Sequence, residues 1–270
     1  MNLLIRAASA VVLAPVVLYC IWRGDLWLLG LLLIALVIGL HEALGLLLQN
    51  PFERRIQGLL GAAMLGALTV SMMADTPAWQ PLAAMALWLC ISGLCFVVRP
   101  LPIESVGGRW AASIFAPIYV GLPLLCLGAL RGHPDGVAWL VLAMVGTWLN
   151  DTFAYAAGRL FGRHKMHPTV SPKKTWEGFA GGVVGSVAAA LAVRHFMLPE
   201  LAVHHALLFA AVLGVLVPAG DLAESLLKRA AGAKDSGNVI PGHGGLLDRV
   251  DSLLFAAPWT LLCAHVLGAG

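Results

Sequence analysis

An all-α polytopic integral membrane protein is the fold class that this sequence predicts, and three observations carry it. Of 270 residues, 60% are hydrophobic and only 11% are charged, whereas a soluble chain is about a quarter charged. The mean hydropathy is +0.87. Apolar runs of the roughly 20 residues needed to cross a bilayer recur from end to end, punctuated by helix-breaking residues.

About nine transmembrane helices follow from those runs. The first, 7–22, comes after Arg6 as a signal peptide would. Ala14-Pro15 offers no clean cleavage site and more spans follow at once, so it reads as a retained span. Arg23-Gly24-Asp25 closes it, 26–49 stops at Asn50-Pro51, and 56–74 stops at Asp75-Thr76-Pro77. The span 79–98 ends at Arg99-Pro100, and 110–130 ends at Gly132-His133-Pro134. The last four, 137–158, 176–197, 203–227 and 251–268, include two long polar connections, 159–175 and 228–250. Trp27, Trp79, Trp110, Trp139 and Trp176 fall near span ends, as interfacial anchors do. Five cysteines lie scattered in apolar runs with no CxxC pair, and read as small core hydrophobes.

The cations orient the bundle. With the N-terminus in the cytoplasm, 14 of the 17 lysines and arginines fall on the cytoplasmic side. Nine of those 14 lie in 159–175 and 228–250, together with all five lysines of the chain. This divides the chain into a transmembrane scaffold, 1–135, and a catalytic region, 136–270. The expected location is the inner (cytoplasmic) membrane, with the site facing the cytoplasm.

The chemistry-bearing groups concentrate in that second region. Asp221, Ser225 and Lys228 share one helical face at i, i+4 and i+7, with Glu224 beside them. An internal ion pair would explain that face, but not the polar loop that follows it. Pro241-Gly242-His243-Gly244-Gly245 then leads into Asp248-Arg249 and Asp251. Glycines let backbone N–H groups approach an anion, and a helix start favours one. Asp248 beside Asp221 would hold a hard cation, since magnesium takes one or two carboxylates and leaves other positions to water and substrate phosphate. Asp251 suits a helix cap as well as a functional role.

The earlier connection offers Ser171, Lys173, Lys174 and Thr175 at a helix start, a fitting cradle for phosphates or for lipid head groups. Asp151 needs a partner, either Arg159 or a metal. His41 and Glu42 read as a satisfied polar pair within the second span. No GxxxxGK[ST], GxGxxG, GxSxG or HExxH motif is present, nor the double-aspartate pattern of CDP-alcohol phosphatidyltransferases.

Together these residues resemble a known family. Ser225-x-x-Lys228-Arg229-x4-Lys234-Asp235-x-Gly237-x-x-x-Pro241-x-His243-Gly244-Gly245-x-x-Asp248-Arg249-x-Asp251 looks like the defining motif of phosphatidate cytidylyltransferases. Asn150-Asp151 with Ser171-Pro172-Lys173-Lys174-Thr175-x-Glu177-Gly178 resembles the family's second motif, and Gly220-Asp221 its metal-binding helix. The resemblance covers about 145–255 and implies transfer of CMP from CTP to phosphatidic acid, with Mg²⁺ required and room for a second, monovalent cation. Asp221 and Asp248 would hold the metal, with Lys228 and Ser225 completing the catalytic set. Asp151, Ser171, Lys173, Lys174, Arg229, Lys234, Asp235, His243, Gly244, Gly245 and Arg249 would bind substrate. The expected partners are CTP, phosphatidic acid and membrane lipids, with a homodimer as the form of any self-association and no nucleic acid.

Rival readings are a CDP-archaeol synthase, a CTP-dependent polyprenol kinase, an ion-coupled transporter using Glu42, Asp151 and Asp221, and a non-catalytic lipid-binding scaffold. The full lysine-to-aspartate motif favours the phosphatidate enzyme. Polar groups clustered on one face, with no internal repeat, argue against a transporter.

Overall fold

The computed structural model describes residues 14–74, 76–99, 102–240 and 244–268. Among them are nine α-helices: α1 (Ala14–Arg23), α2 (Asp25–Leu47), α3 (Pro51–Met73), α4 (Trp79–Val98), α5 (Val106–Arg131), α6 (Gly136–Phe161), α7 (Trp176–Met197), α8 (Val203–Ala230) and α9 (Leu247–Leu267). Eight of them, α2 to α9, are long and apolar enough to cross a membrane. The first half of the expected first span lies outside the described residues.

Helix ends run past the apolar spans because polar residues can stay helical at the interface. Asn50 shows how: its side chain accepts from the Phe52 amide at 2.9 Å and Pro51 occupies the first helical position, so α3 begins well before residue 56. Likewise α9 begins at Leu247, which puts Asp248 in its first turn and Asp251 one turn inside.

The connection between α6 and α7 departs from the all-α expectation. It is a small antiparallel hairpin, β1 (Lys165–His167) with β2 (Ser171–Thr175), pairing Lys165 with Thr175 and His167 with Ser171. Ser171, Lys173 and Lys174 therefore lie on a strand, and not in a helix start as the sequence reading had them. Only Thr175 plays that part, its hydroxyl accepting from the Gly178 amide at 3.1 Å. Glu177 accepts from the Arg163 and His164 amides and meets His164 Nδ1 at 2.6 Å, which ties the hairpin to α7.

Packing is tightest in the second half, where α7 lies against α6 and α8, and α9 against α8. The small residues of α7 make this closeness available. A Cβ on Gly185 would stand 2.4 Å from the Leu149 carbonyl, and one on Gly181 2.8 Å from the Phe153 carbonyl. Between them Asn150 donates to Ser186 Oγ at 2.9 Å in the buried contact. The buried apolar cluster runs without interruption from Ile21 to Ala264. Trp139 belongs to it, fully buried edge-on to Phe209, and so is not an interfacial anchor. Trp27, Trp79, Trp110 and Trp176 do keep exposed faces.

Gly185→Leu should separate α6 from α7 and cost about 1–3 kcal/mol. Gly66→Leu, at a position with nothing within 4 Å of its Cβ, serves as the matched control. A thermal scan of detergent-solubilised protein checks this: a large drop in Tm for the first and little change for the second.

Candidate active site

The expected face of α8 exists, and its partners come from three other elements. Lys174 on β2 meets Asp221 at 2.9 Å and donates to the Pro218 carbonyl at 3.1 Å. Ser225 donates to the other Asp221 oxygen at 3.3 Å. One turn on, the buried Lys228 ammonium bonds both Glu224 and Asp248 at 2.5 Å. Glu224 has no exposed surface, and its Oε1 has no hydrogen-bond partner among the described residues.

Asp248 is saturated. One oxygen takes Lys228, and the other accepts from the Ser236 amide at 2.9 Å, the Ser236 hydroxyl at 3.0 Å and the Gly245 amide at 2.9 Å. Gly244 lies in the left-handed region at φ 82°, with its missing Cβ only 2.8 Å from Asp248 Oδ2. A glycine is needed there on both counts.

Asp251 stands elsewhere. A Cβ on Gly220 would be 2.7 Å from the Asp251 carbonyl, so α8 and α9 are in backbone contact beside Asp221. This brings Asp251 within Coulombic range of Asp221, Lys228 and Lys174. Asp151 on α6 faces the same cluster, within range of Asp251, Asp221, Lys174 and Arg249. It does not pair with Arg159, which donates to Tyr155 at 3.1 Å. Asp151, Asp221 and Asp251 thus converge from three helices. Among the described residues no three acidic, histidine or cysteine side chains are close enough to cage a metal ion.

Lys173, Lys234, Asp235 and Arg249 are exposed, Ser171 is half-buried, and Arg229 donates to the Ala233 carbonyl at 3.0 Å. His243 lies outside the described residues.

Two residues that the sequence reading passed over are central. Glu42 is not paired with His41, which is exposed. It is 3% exposed and accepts from the Leu246 amide at 3.0 Å, the Leu247 amide at 2.8 Å and the Ser236 hydroxyl at 3.1 Å. A carboxylate from α2 therefore caps α9 and ties Ser236 to its start. Gly237 and Gly245 make room, since a Cβ on either would sit 2.5–2.6 Å from a Glu42 oxygen. The available signal was Glu42 itself, an intramembrane acid with no lysine or arginine within helical reach. The second is Tyr119 on α5, whose buried hydroxyl lacks a partner among the described residues and lies in Coulombic range of Glu224, Asp251 and Asp221. Nothing in its sequence context marks it.

The fold and site define a class: a polytopic membrane protein with an acid-rich polar centre toward one end of its helices. Comparison with known proteins narrows this, because residues 4–267 match the Cytidylyltransferase family. The chain belongs to that family. A phosphatidate cytidylyltransferase of Staphylococcus saprophyticus is 32% identical over 255 residues, covering 94% of this chain and 96% of the relative. One from Brucella abortus is 35% identical over 269 residues, covering 95% and 91%.

Glu42→Gln should turn an amide N–H toward the Leu246 and Leu247 donors and cost about 1–3 kcal/mol. The checks are a lower Tm and faster protease cleavage within 231–246. Lys228→Met should be harsher, about 3–5 kcal/mol, because it strands two carboxylates.

Proposed function

We propose that this protein transfers CMP from CTP to phosphatidic acid, giving CDP-diacylglycerol and pyrophosphate at the cytoplasmic face of the inner membrane, with its N-terminus in the cytoplasm. One observation carries the reading beyond the family match. Lys174–Asp221 joins the 171–178 segment to the 221–251 segment, so that the two motif stretches form one site.

The phosphate oxygen of phosphatidate is already anionic, so the reaction needs no strong base. It attacks the α-phosphorus of CTP, and the bond from that phosphorus to the bridging oxygen breaks to release pyrophosphate. The obstacle is repulsion between a phosphomonoester and a triphosphate, which makes positioning and charge neutralisation the means of catalysis. Lys173, Lys174, Arg229 and Arg249 would receive phosphate oxygens. Ser225 and Lys228 orient the carboxylates of α8 and α9. The diacylglycerol chains stay in the bilayer while the head group meets Asp221 and Lys174 at the helix ends.

The donor set fits Mg²⁺. Asp221, with Asp251 or Asp151 in Coulombic range of it, would offer hard oxygens to an ion that shares its coordination with substrate phosphate. The ion would supply charge neutralisation on the reacting phosphates. Asp221 would be the common ligand. Asp248, expected as the second, would have to exchange Lys228 for the ion, whereas Asp251 already faces Asp221.

The first test is turnover in mixed micelles of phosphatidate with each nucleoside triphosphate, with and without EDTA. CTP-specific product that disappears on chelation supports the reading, and its absence from folded protein sinks it. Asp221→Asn should lower kcat/KM by about 10² or more, by analogy with loss of an oxyanion donor. Asp248→Asn and Asp251→Asn then assign the second ligand, because only the ligand's loss should raise the Mg²⁺ concentration needed for half-maximal rate.

A further inference from the structure

At the end of the bundle opposite the candidate active site, a groove of about 1090 Å³ opens between α2, α3 and α5. Leu28, Leu32 and Leu36 of α2 face Leu124 and Leu125 of α5 along most of its depth. Thr69 also lines it, but spends its hydroxyl on the Leu65 carbonyl of its own helix. Charged and imidazole groups gather at one end only: Asp25, Arg131, His133 and His265.

Asp25 and Arg131 share that mouth without pairing. Among the described residues neither side chain forms a hydrogen bond or ion pair, and Arg131 Nε is buried without an acceptor. The guanidinium lies across Gly24, where a Cβ would stand 2.7 Å from it. Gly24 is at φ 69° and Asp25 at φ 40°, the latter a strained conformation for a residue with a side chain. This turn sets an anion and a cation on one rim, too far apart to satisfy each other. His133 adds a donor: its Nδ1 accepts from the Asp135 amide at 3.2 Å, which leaves the ring proton on Nε2.

We propose that this groove binds a zwitterionic phospholipid with a primary-amine head group, of the phosphatidylethanolamine type. Its phosphate takes Arg131 and His133, its ammonium takes Asp25, and an acyl chain lies along the leucine wall. The charges select this occupant. A guanidinium with an unused donor suits a phosphate, and a carboxylate beside it suits an N–H-bearing cation. A phosphoglycerol head group, which has the phosphate but no ammonium, would leave Asp25 without a counter-charge. A choline head group would offer Asp25 no hydrogen. The site is remote from the acids of the proposed reaction and does not depend on that reaction.

The test is native mass spectrometry of the delipidated full chain, given equal amounts of dioleoyl phosphatidylethanolamine, phosphatidylcholine and phosphatidylglycerol. The wild type should retain phosphatidylethanolamine about tenfold over phosphatidylcholine, the worth of one charged hydrogen bond. Arg131→Gln should lose that lipid. Asp25→Asn should bring it down to the phosphatidylcholine level without lowering phosphatidylglycerol. Leu32→Trp, which fills the groove and touches neither charge, should exclude all three. Circular dichroism confirms folding, and the wild-type competition decides even where a variant fails to fold. Equal retention of the choline and ethanolamine lipids would overturn the proposal, as would preference for phosphatidylglycerol. So would retention unchanged in both Arg131→Gln and Leu32→Trp, or a lipid-free dimer.

Discussion

The buried ammonium of Lys228 holds the candidate site together. It bonds Glu224 on its own helix and Asp248 on the next, and without it two carboxylates would face each other in a poorly solvated space. Removing two such charges from water costs several kcal/mol per ion, which is recovered only when each is closely partnered. Asp248 is partnered four times, by Lys228, twice by Ser236 and by Gly245. That saturation fixes the start of α9 relative to the end of α8, and with it the positions of Asp221 and Asp251. Gly220 completes the arrangement by letting the two backbones touch at the level of those acids.

The first half of the chain is more than ballast for this centre. Glu42 reaches from α2 to the first amides of α9, so the loop carrying Ser236 is clamped between a carboxylate of the scaffold and a carboxylate of the site. Tyr119 on α5 approaches the same acids. Arg109 and Glu53 form an ion pair between α5 and α3, which keeps the scaffold ends in register. The boundary near residue 135 therefore separates stretches of sequence, while both sides contribute polar contacts to one centre.

Much of this was legible in the chain. Spans, turns and the clustering of lysines follow from local composition, and the Asp221, Ser225, Lys228 face follows from helical periodicity alone. The contacts that were not legible are the non-local ones. Lys174 reads as a group at a helix start, but a hairpin carries it to Asp221, because β1 gives the short 171–175 segment a strand to pair with. Glu42 reads as half of a pair with its neighbour, yet adjacent residues on a helix point apart, and its partners lie about two hundred positions away. Asp248 and Asp251, alike in sequence, differ because one turn of helix aims the first at Lys228 and the second at Asp221.

The division of labour among the acids follows from electrostatics. Two unit charges 4 Å apart interact by about 4 kcal/mol at an effective dielectric of 20. Asp151, Asp221 and Asp251 lie within Coulombic range of one another, and among the described residues Lys174 is in direct contact with Asp221. Glu224 and Asp248 share the single Lys228 ammonium, which leaves no positive charge to spare for those acids. Negative charge on the three acids is thus matched in part by the contact from Lys174. On the proposed function, a divalent cation arriving with an anionic substrate would complete that balance. Under that proposal the acids would attract the ion, and substrate phosphate would complete its coordination.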